Sequence, residues 1–177
     1  MTILRAMVFI GLAWASFVLL ASFEALIPGL SPLPVPAFGL LIVLYLGLAG
    51  RATMAPLVAV ALAIGYLIDL LSGSPRWLHA LTLAIVMVIA RGASNRLLVA
   101  SRWQKALVAL VAALGNGALL VVLAAPPEWP TSEVLGLLRV IPSTALVTAL
   151  LAPFVFALLG RLDRKLAPPP SAFRSVA

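Results

Sequence analysis

The stretch GYLIDLLSGSPRWLHAL, residues 65–81, sets one carboxylate, one turn and the single histidine of the chain between two apolar runs. Asp69 closes the first run, while Arg76 and His79 open the second. The residues between them are helix punctuation: Gly73 suits the left-handed conformation that ends a helix, Ser74 can cap the next one, and Pro75 fits a first helical turn. The stretch reads as a tight helical hairpin that gathers Asp69, Arg76 and His79 at one end of two neighbouring helices.

Outward from this corner the chain is almost bare of charge. Of its 177 residues 64% are hydrophobic and 10% charged, with a mean hydropathy of +1.20. Soluble domains hold about half apolar and a quarter charged residues, so this composition describes an integral membrane protein. Its apolar surface is made for lipid, and the core logic of soluble domains does not transfer. No cysteine is present, which excludes disulfides, thiolate metal sites and thiol nucleophiles. One histidine and five carboxylates leave little for metal chemistry.

The charges mark the spans. Apolar stretches run between Arg5 and Glu24, Glu24 and Arg51, Arg51 and Asp69, Arg76 and Arg91, Lys105 and Glu128, and Arg139 and Arg161. A helix needs roughly 20 apolar residues to cross about 30 Å of hydrocarbon. Six crossings are expected, four comfortable and two short. The second starts only after PGLSPLPVP, whose prolines forbid a regular helix, which leaves about residues 37–49. The fourth, from Leu78, is apolar to Ala90 and can lengthen through residues 91–103 if Arg91 and Arg96 snorkel. Five helices plus a re-entrant piece is the competing count.

Orientation follows from the basic residues. With the N-terminus cytoplasmic, the inner segments hold ten of the twelve Lys and Arg, and the outer side keeps only Arg76 and Arg139. Four of the five acids fall outside. The expectation is an all-α integral membrane protein, a polytopic bundle of about six transmembrane helices with both termini cytoplasmic. Residues 1–166 form one helical domain, and residues 167–177 form a flexible Pro-rich cytoplasmic tail. Arg5 before an apolar run also describes a signal peptide, but Phe23 and Glu24 stand where a cleavage site wants small residues, so the first span reads as uncleaved. The pI of about 11.4 is a topological signature and calls for no nucleic-acid partner. The basic strips at 91–105 and 161–165 are placed for anionic membrane lipids, each cation contributing about 1 kcal/mol near such a surface.

An acid in a span carries a penalty. At mid-membrane an Asp costs about 2.5 to 3.5 kcal/mol, whereas the nine large aliphatics of the third span contribute roughly 3 to 5 kcal/mol. Insertion survives Asp69, and its place near the outer interface lowers the cost. Two readings of the corner stand. In one, Asp69, Arg76 and His79 form a fixed polar cluster that anchors the hairpin and shapes a docking surface. In the other, an interfacial Asp bonds nearby Ser or backbone while Arg76 and His79 face water.

Catalytic arrangements are missing. A Ser–His dyad needs a base held opposite the hydroxyl by a different element, and His79 is only five residues past SGSP. No phosphate loop, paired in-membrane carboxylates or ligand-spaced His cluster occurs, so neither catalytic residues, cofactor nor metal are expected. Packing signals are more plentiful. Ala113 and Gly117 have small-xxx-small spacing with Asn116 beside them, and Ala61 and Gly65 repeat it. Asn116, Thr144 and Thr148 are expected to hydrogen-bond across helices.

The stretch 65–81 resembles the signature of the bacterial rod shape-determining protein MreD family, in which a Gly-x-x-x-Asp-x-x-Ser-Gly helix end leads into Pro, a Gly and a His-Ala-Leu-like helix start. Gly65, Asp69, Ser72, Gly73, Pro75, His79 and Ala80 match. Trp77 stands where that family commonly has glycine, and Arg76 where it tends to be apolar. The resemblance implies a non-enzymatic subunit of the bacterial cytoplasmic (inner) membrane, part of the cell-elongation machinery. Its implied partners are a bitopic MreC-like protein, a RodA-type glycosyltransferase, a class B penicillin-binding protein and, indirectly, MreB filaments. The alternative is a substrate-binding S-component-like subunit of an ECF-type vitamin transporter, with a polar pocket open to the outside and a small-residue face such as Ala59 and Ala63 for its coupling subunit.

Overall fold

The computed structural model describes residues 3–26, 36–49, 53–73, 75, 77–94, 101–124 and 131–166. Among them the only regular elements are six helices: α1 (Ile3–Leu26), α2 (Phe38–Ala49), α3 (Met54–Ser72), α4 (Leu78–Ser94), α5 (Arg102–Ala124) and α6 (Thr131–Leu166). Four of these, α1, α3, α5 and α6, are long and apolar enough to cross a membrane. The short second helix falls where the prolines place it. Helix α4 stops at Ser94, and its expected continuation through 95–100 lies outside the described residues. So do Glu128, Arg76, Ser74 and the tail at 167–177.

Helix α2 explains how so short a rod is tolerated. Its 12 residues reach about 18 Å, too little for a bilayer. They are apolar all round, which suits a helix enclosed by protein. Gly39 to Leu44, Leu46 and Gly47 are buried, and α2 packs on α1, α3, α4 and α6. A Cβ at Gly47 would lie 2.8 Å from that of Ala90, so glycine is what lets α2 and α4 approach. The backbone amide of Ala37, just before α2, donates to Thr148 Oγ1 of α6 at 3.0 Å. That bond gives a partner to a part-buried amide at the entrance to α2. Two closely packed pairs, α3 with α4 and α5 with α6, flank this central helix.

Helix α6 runs for 36 residues with Pro142 and Pro153 inside it, well beyond the span expected between Arg139 and Arg161. The contacts fix which helix ends lie together. Arg5 of α1 pairs with Asp163 of α6, Tyr45 of α2 bonds the same carboxylate, and Gly47 meets Ala90 and Arg91. Arg5, Arg91 and the basic end of α6 thus share one end of the bundle. The corner between α3 and α4 lies at the other.

Candidate functional site: a helix capped by its neighbour

The corner is built on the spacing of Gly65 and Asp69, one turn apart on the same face of α3. A Cβ at Gly65 would come within 2.4 Å of Ala80 Cα and 2.5 Å of Ala80 N and His79 O. Only glycine allows the backbone of α4 that close. One turn further on, Asp69 is 4% exposed and receives the first turn of α4. Its Oδ1 accepts the backbone N–H of His79 at 2.9 Å, and its Oδ2 that of Ala80 at 3.2 Å.

This is an N-cap supplied from another helix. The first helical bond of α4 runs from Leu81 N–H to Trp77 O, which makes Trp77 the capping residue. Its indole side chain has no oxygen to offer the orphan amides, and Asp69 fills that role. The carboxylate also faces the positive end of the helix dipole. Asp69 Oδ1 lies 2.7 Å from His79 Nδ1, and since the carboxylate accepts, the ring presents Nδ1–H. Three donors on one carboxylate are what make its burial tolerable.

The cap expected of Ser74 lies outside the described residues; among them, Asp69 accepts the amides of the first turn of α4. Two sequence expectations change here. Pro75 precedes α4 by three residues, and its carbonyl accepts Leu78 N–H at 3.2 Å, so it forms the turn and not the first helical turn. His79 is held by Asp69 and is not simply wet. Arg76 lies outside the described residues, while Ser72 sits on the exposed side of the last turn of α3.

Gly73 closes α3 with φ 67°, in the left-handed region. Trp77 also has positive φ, 74°, the only such non-glycine among the described residues. A bulky side chain there is strained. Its indole stacks obliquely on Tyr66, ring centroids 5.0 Å apart, which offsets part of the strain.

Behind the corner lies a cavity of about 460 Å³, against the start of α2. Its walls come from every helix, with Phe17, Leu20, Ile68, Leu83, Leu120 and Ile141 among the apolar ones. His79, Asn116, Thr144 and Ser16 also line it, but Ser16 Oγ is bonded to Ala13 O at 2.8 Å. Asn116 is 9% exposed, and its Oδ1 has no hydrogen-bond partner. The expected cross-helix bond of Asn116 is not made. Thr144 takes part through its carbonyl, which accepts Thr148 Oγ1 at 2.7 Å, and the interhelical bond of Thr148 goes to α2. Ala113 is buried, and Gly117 abuts Ile141 of α6, where a Cβ would approach Ile141 Cγ2 to 2.7 Å.

The cluster of Arg5, Tyr45 and Asp163 at the opposite end of the bundle was not singled out from sequence. Tyr45 Oη donates to Asp163 Oδ2 at 3.3 Å, and Arg5 pairs with Oδ1, joining three helices. The charges at the two ends of the chain were visible only as topology markers. Among the described residues no group of His, Cys, Asp and Glu is arranged to hold a metal ion.

These observations define an α-helical membrane protein with a buried acid–histidine corner. No family model, no curated protein and no solved structure matches the chain.

Proposed function

We propose that this chain is a non-enzymatic, six-span subunit of the bacterial cytoplasmic membrane that scaffolds the cell-elongation complex, with both termini in the cytoplasm. Its direct partner is an MreC-like bitopic protein, and through that protein it serves the RodA-type glycosyltransferase, the class B penicillin-binding protein and, indirectly, MreB filaments. The observation that carries the reading is the backbone at Trp77. Where MreD-like chains commonly have glycine, this chain adopts a conformation that glycine prefers, φ 74°. The matching residues also have physical tasks at one corner: Gly65 admits α4, Asp69 caps it and Gly73 closes α3. A helix end tied to its neighbour in this way moves as one body, which suits contact-based signalling between spans.

The test is recovery of the MreC-like protein with the tagged chain, together with cell shape in a strain lacking the native copy. Asp69→Ala is expected to weaken both. Rod shape and partner recovery unchanged by Asp69→Ala, or reporter fusions placing residues 91–105 outside the cell, would overturn the reading.

The cavity gives the transporter-subunit alternative one point in its favour. Among the described residues its walls carry few polar groups, which argues against a polar vitamin. Co-purification with an ABC-type ATPase in place of an MreC-like protein would select that alternative.

A further inference from the structure

We propose that Tyr66 and Trp77 form a lipid-binding surface, seated at the glycerol and carbonyl level of the bilayer leaflet at the corner's end of the bundle, with Trp103 seated at the same level of the opposite leaflet. The inference rests on the membrane class of the chain and not on the cell-elongation reading, so either can fail alone.

Three observations carry it. The first is strain kept at the surface. Trp77 holds φ 74°, which glycine would take freely, yet its side chain is not part of the core: the residue is 59% exposed. Strain held by a residue that faces outward points to what the side chain meets outside the bundle. The second is chemistry. The indole lies 5.0 Å from the ring of Tyr66, itself 37% exposed, and the two rings end in donors, an indole N–H and a phenol O–H. Leu70 and Leu81, one turn along each helix from these rings, are exposed beside them. Hydrocarbon gives the donors no acceptor, and water gives the rings and leucines no cover. The headgroup boundary gives both. The third is spacing. Helix α4 has 17 residues and rises about 26 Å, close to the roughly 30 Å of hydrocarbon in a bilayer. His79 and Leu83 of its first turns line the same cavity as Asn116 and Leu120, so the second half of α5 lies at the corner's end. Trp103, at the start of α5, lies about 20 Å back along that helix from Asn116, toward the opposite end. It is 86% exposed and neighbours Lys105. With an aromatic side chain at each boundary, α4 crosses at its observed length.

The test reads depth by quenching of tryptophan fluorescence. Three full-length variants keep one tryptophan each, Trp77, Trp103 or Trp14, with the other two and Trp129 changed to Phe. Each is placed in phosphatidylcholine vesicles whose acyl chains carry bromine near the carbonyl, midway, or near the methyl end, and iodide is the aqueous quencher. Trp14 is the internal standard. It is exposed on α1 about 14 Å along the helix from Arg5, so it should lie near the bilayer centre and be quenched most by the deep bromines. Trp77 and Trp103 are each expected about 10 to 15 Å from the centre, quenched most by the shallow bromines. The unsubstituted chain gives a second reading that needs no variant to fold: a phosphatidylcholine with a diazirine beside the glycerol should label Tyr66, Trp77 and Trp103, and one with the diazirine at the chain end should label Trp14 in preference. Quenching of Trp77 by iodide alone, or most by the deep bromines, overturns the proposal. So does a Trp77 shielded from every quencher, which would mean that a second copy of the chain covers the pair. Trp103 at the depth of Trp14 overturns it as well.

Discussion

At Trp77 two preferences oppose one another. Positive φ favours glycine by about 1 kcal/mol, while the stacking of indole on Tyr66 contributes about 0.5 to 1.5 kcal/mol. Trp77→Gly exchanges the second for relief of the first and is expected to leave thermal stability in detergent within about 1 kcal/mol of the original. Trp77→Ala loses the stacking and keeps the strain, so it should melt below Trp77→Gly. The reverse order would mean that the left-handed backbone carries no strain. Asp69 is the other decisive residue. Replacing it by Ala strands two amides and an imidazole at once, for an expected loss of about 2 to 4 kcal/mol. Asp69→Asn keeps an acceptor and should fall between, as measured by thermal unfolding or by exchange of the His79 and Ala80 amides.

Between elements, the fit is decided by where small residues fall. Gly115 and Gly117 are two residues apart on α5 and face different surroundings. A Cβ at Gly115 meets nothing within 4 Å, whereas one at Gly117 runs into Ile141. Gly115→Ala is expected to be neutral or to stabilise by about 0.5 to 1 kcal/mol through helix propensity. Gly117→Ala should cost about 1 to 3 kcal/mol by pushing α5 and α6 apart. Equal melting temperatures for the two variants would contradict this packing. The same principle explains α2. Its shortness, obvious from the prolines before it, becomes tolerable because neighbouring helices enclose it and Thr148 supplies the missing acceptor.

Across the whole molecule, the Arg5–Asp163 pair holds the first helix to the last and Tyr45 ties α2 to the same carboxylate. Both charged side chains are mostly buried, so removing one leaves the other poorly solvated. Arg5→Ala and Asp163→Ala are each expected to cost about 1 to 3 kcal/mol, and the double variant less than their sum. A strictly additive double-mutant cycle would show that α1 and α6 are not coupled through this pair.

The membrane class, the positions of the helices and the corner at Gly73 were legible in the sequence, because hydropathy, proline and glycine act within a few residues. Pro75 shows where local grammar stops: it had the right chemistry for a first helical turn, but α4 begins three residues later and a carboxylate ten residues before His79 accepts its first amides. The lengths of α4 and α6 were likewise uncertain locally, since arginines and prolines can lie within helices that packing supports. Asn116 looked like a helix-bridging group, and only the assembled bundle left its oxygen buried without a partner. The sequence by itself determined which segments shun water, since that depends on side-chain transfer from water to lipid. Tertiary structure alone decided which buried polar groups met partners, since hydrogen bonds need a distance and an angle that only the packed helices set.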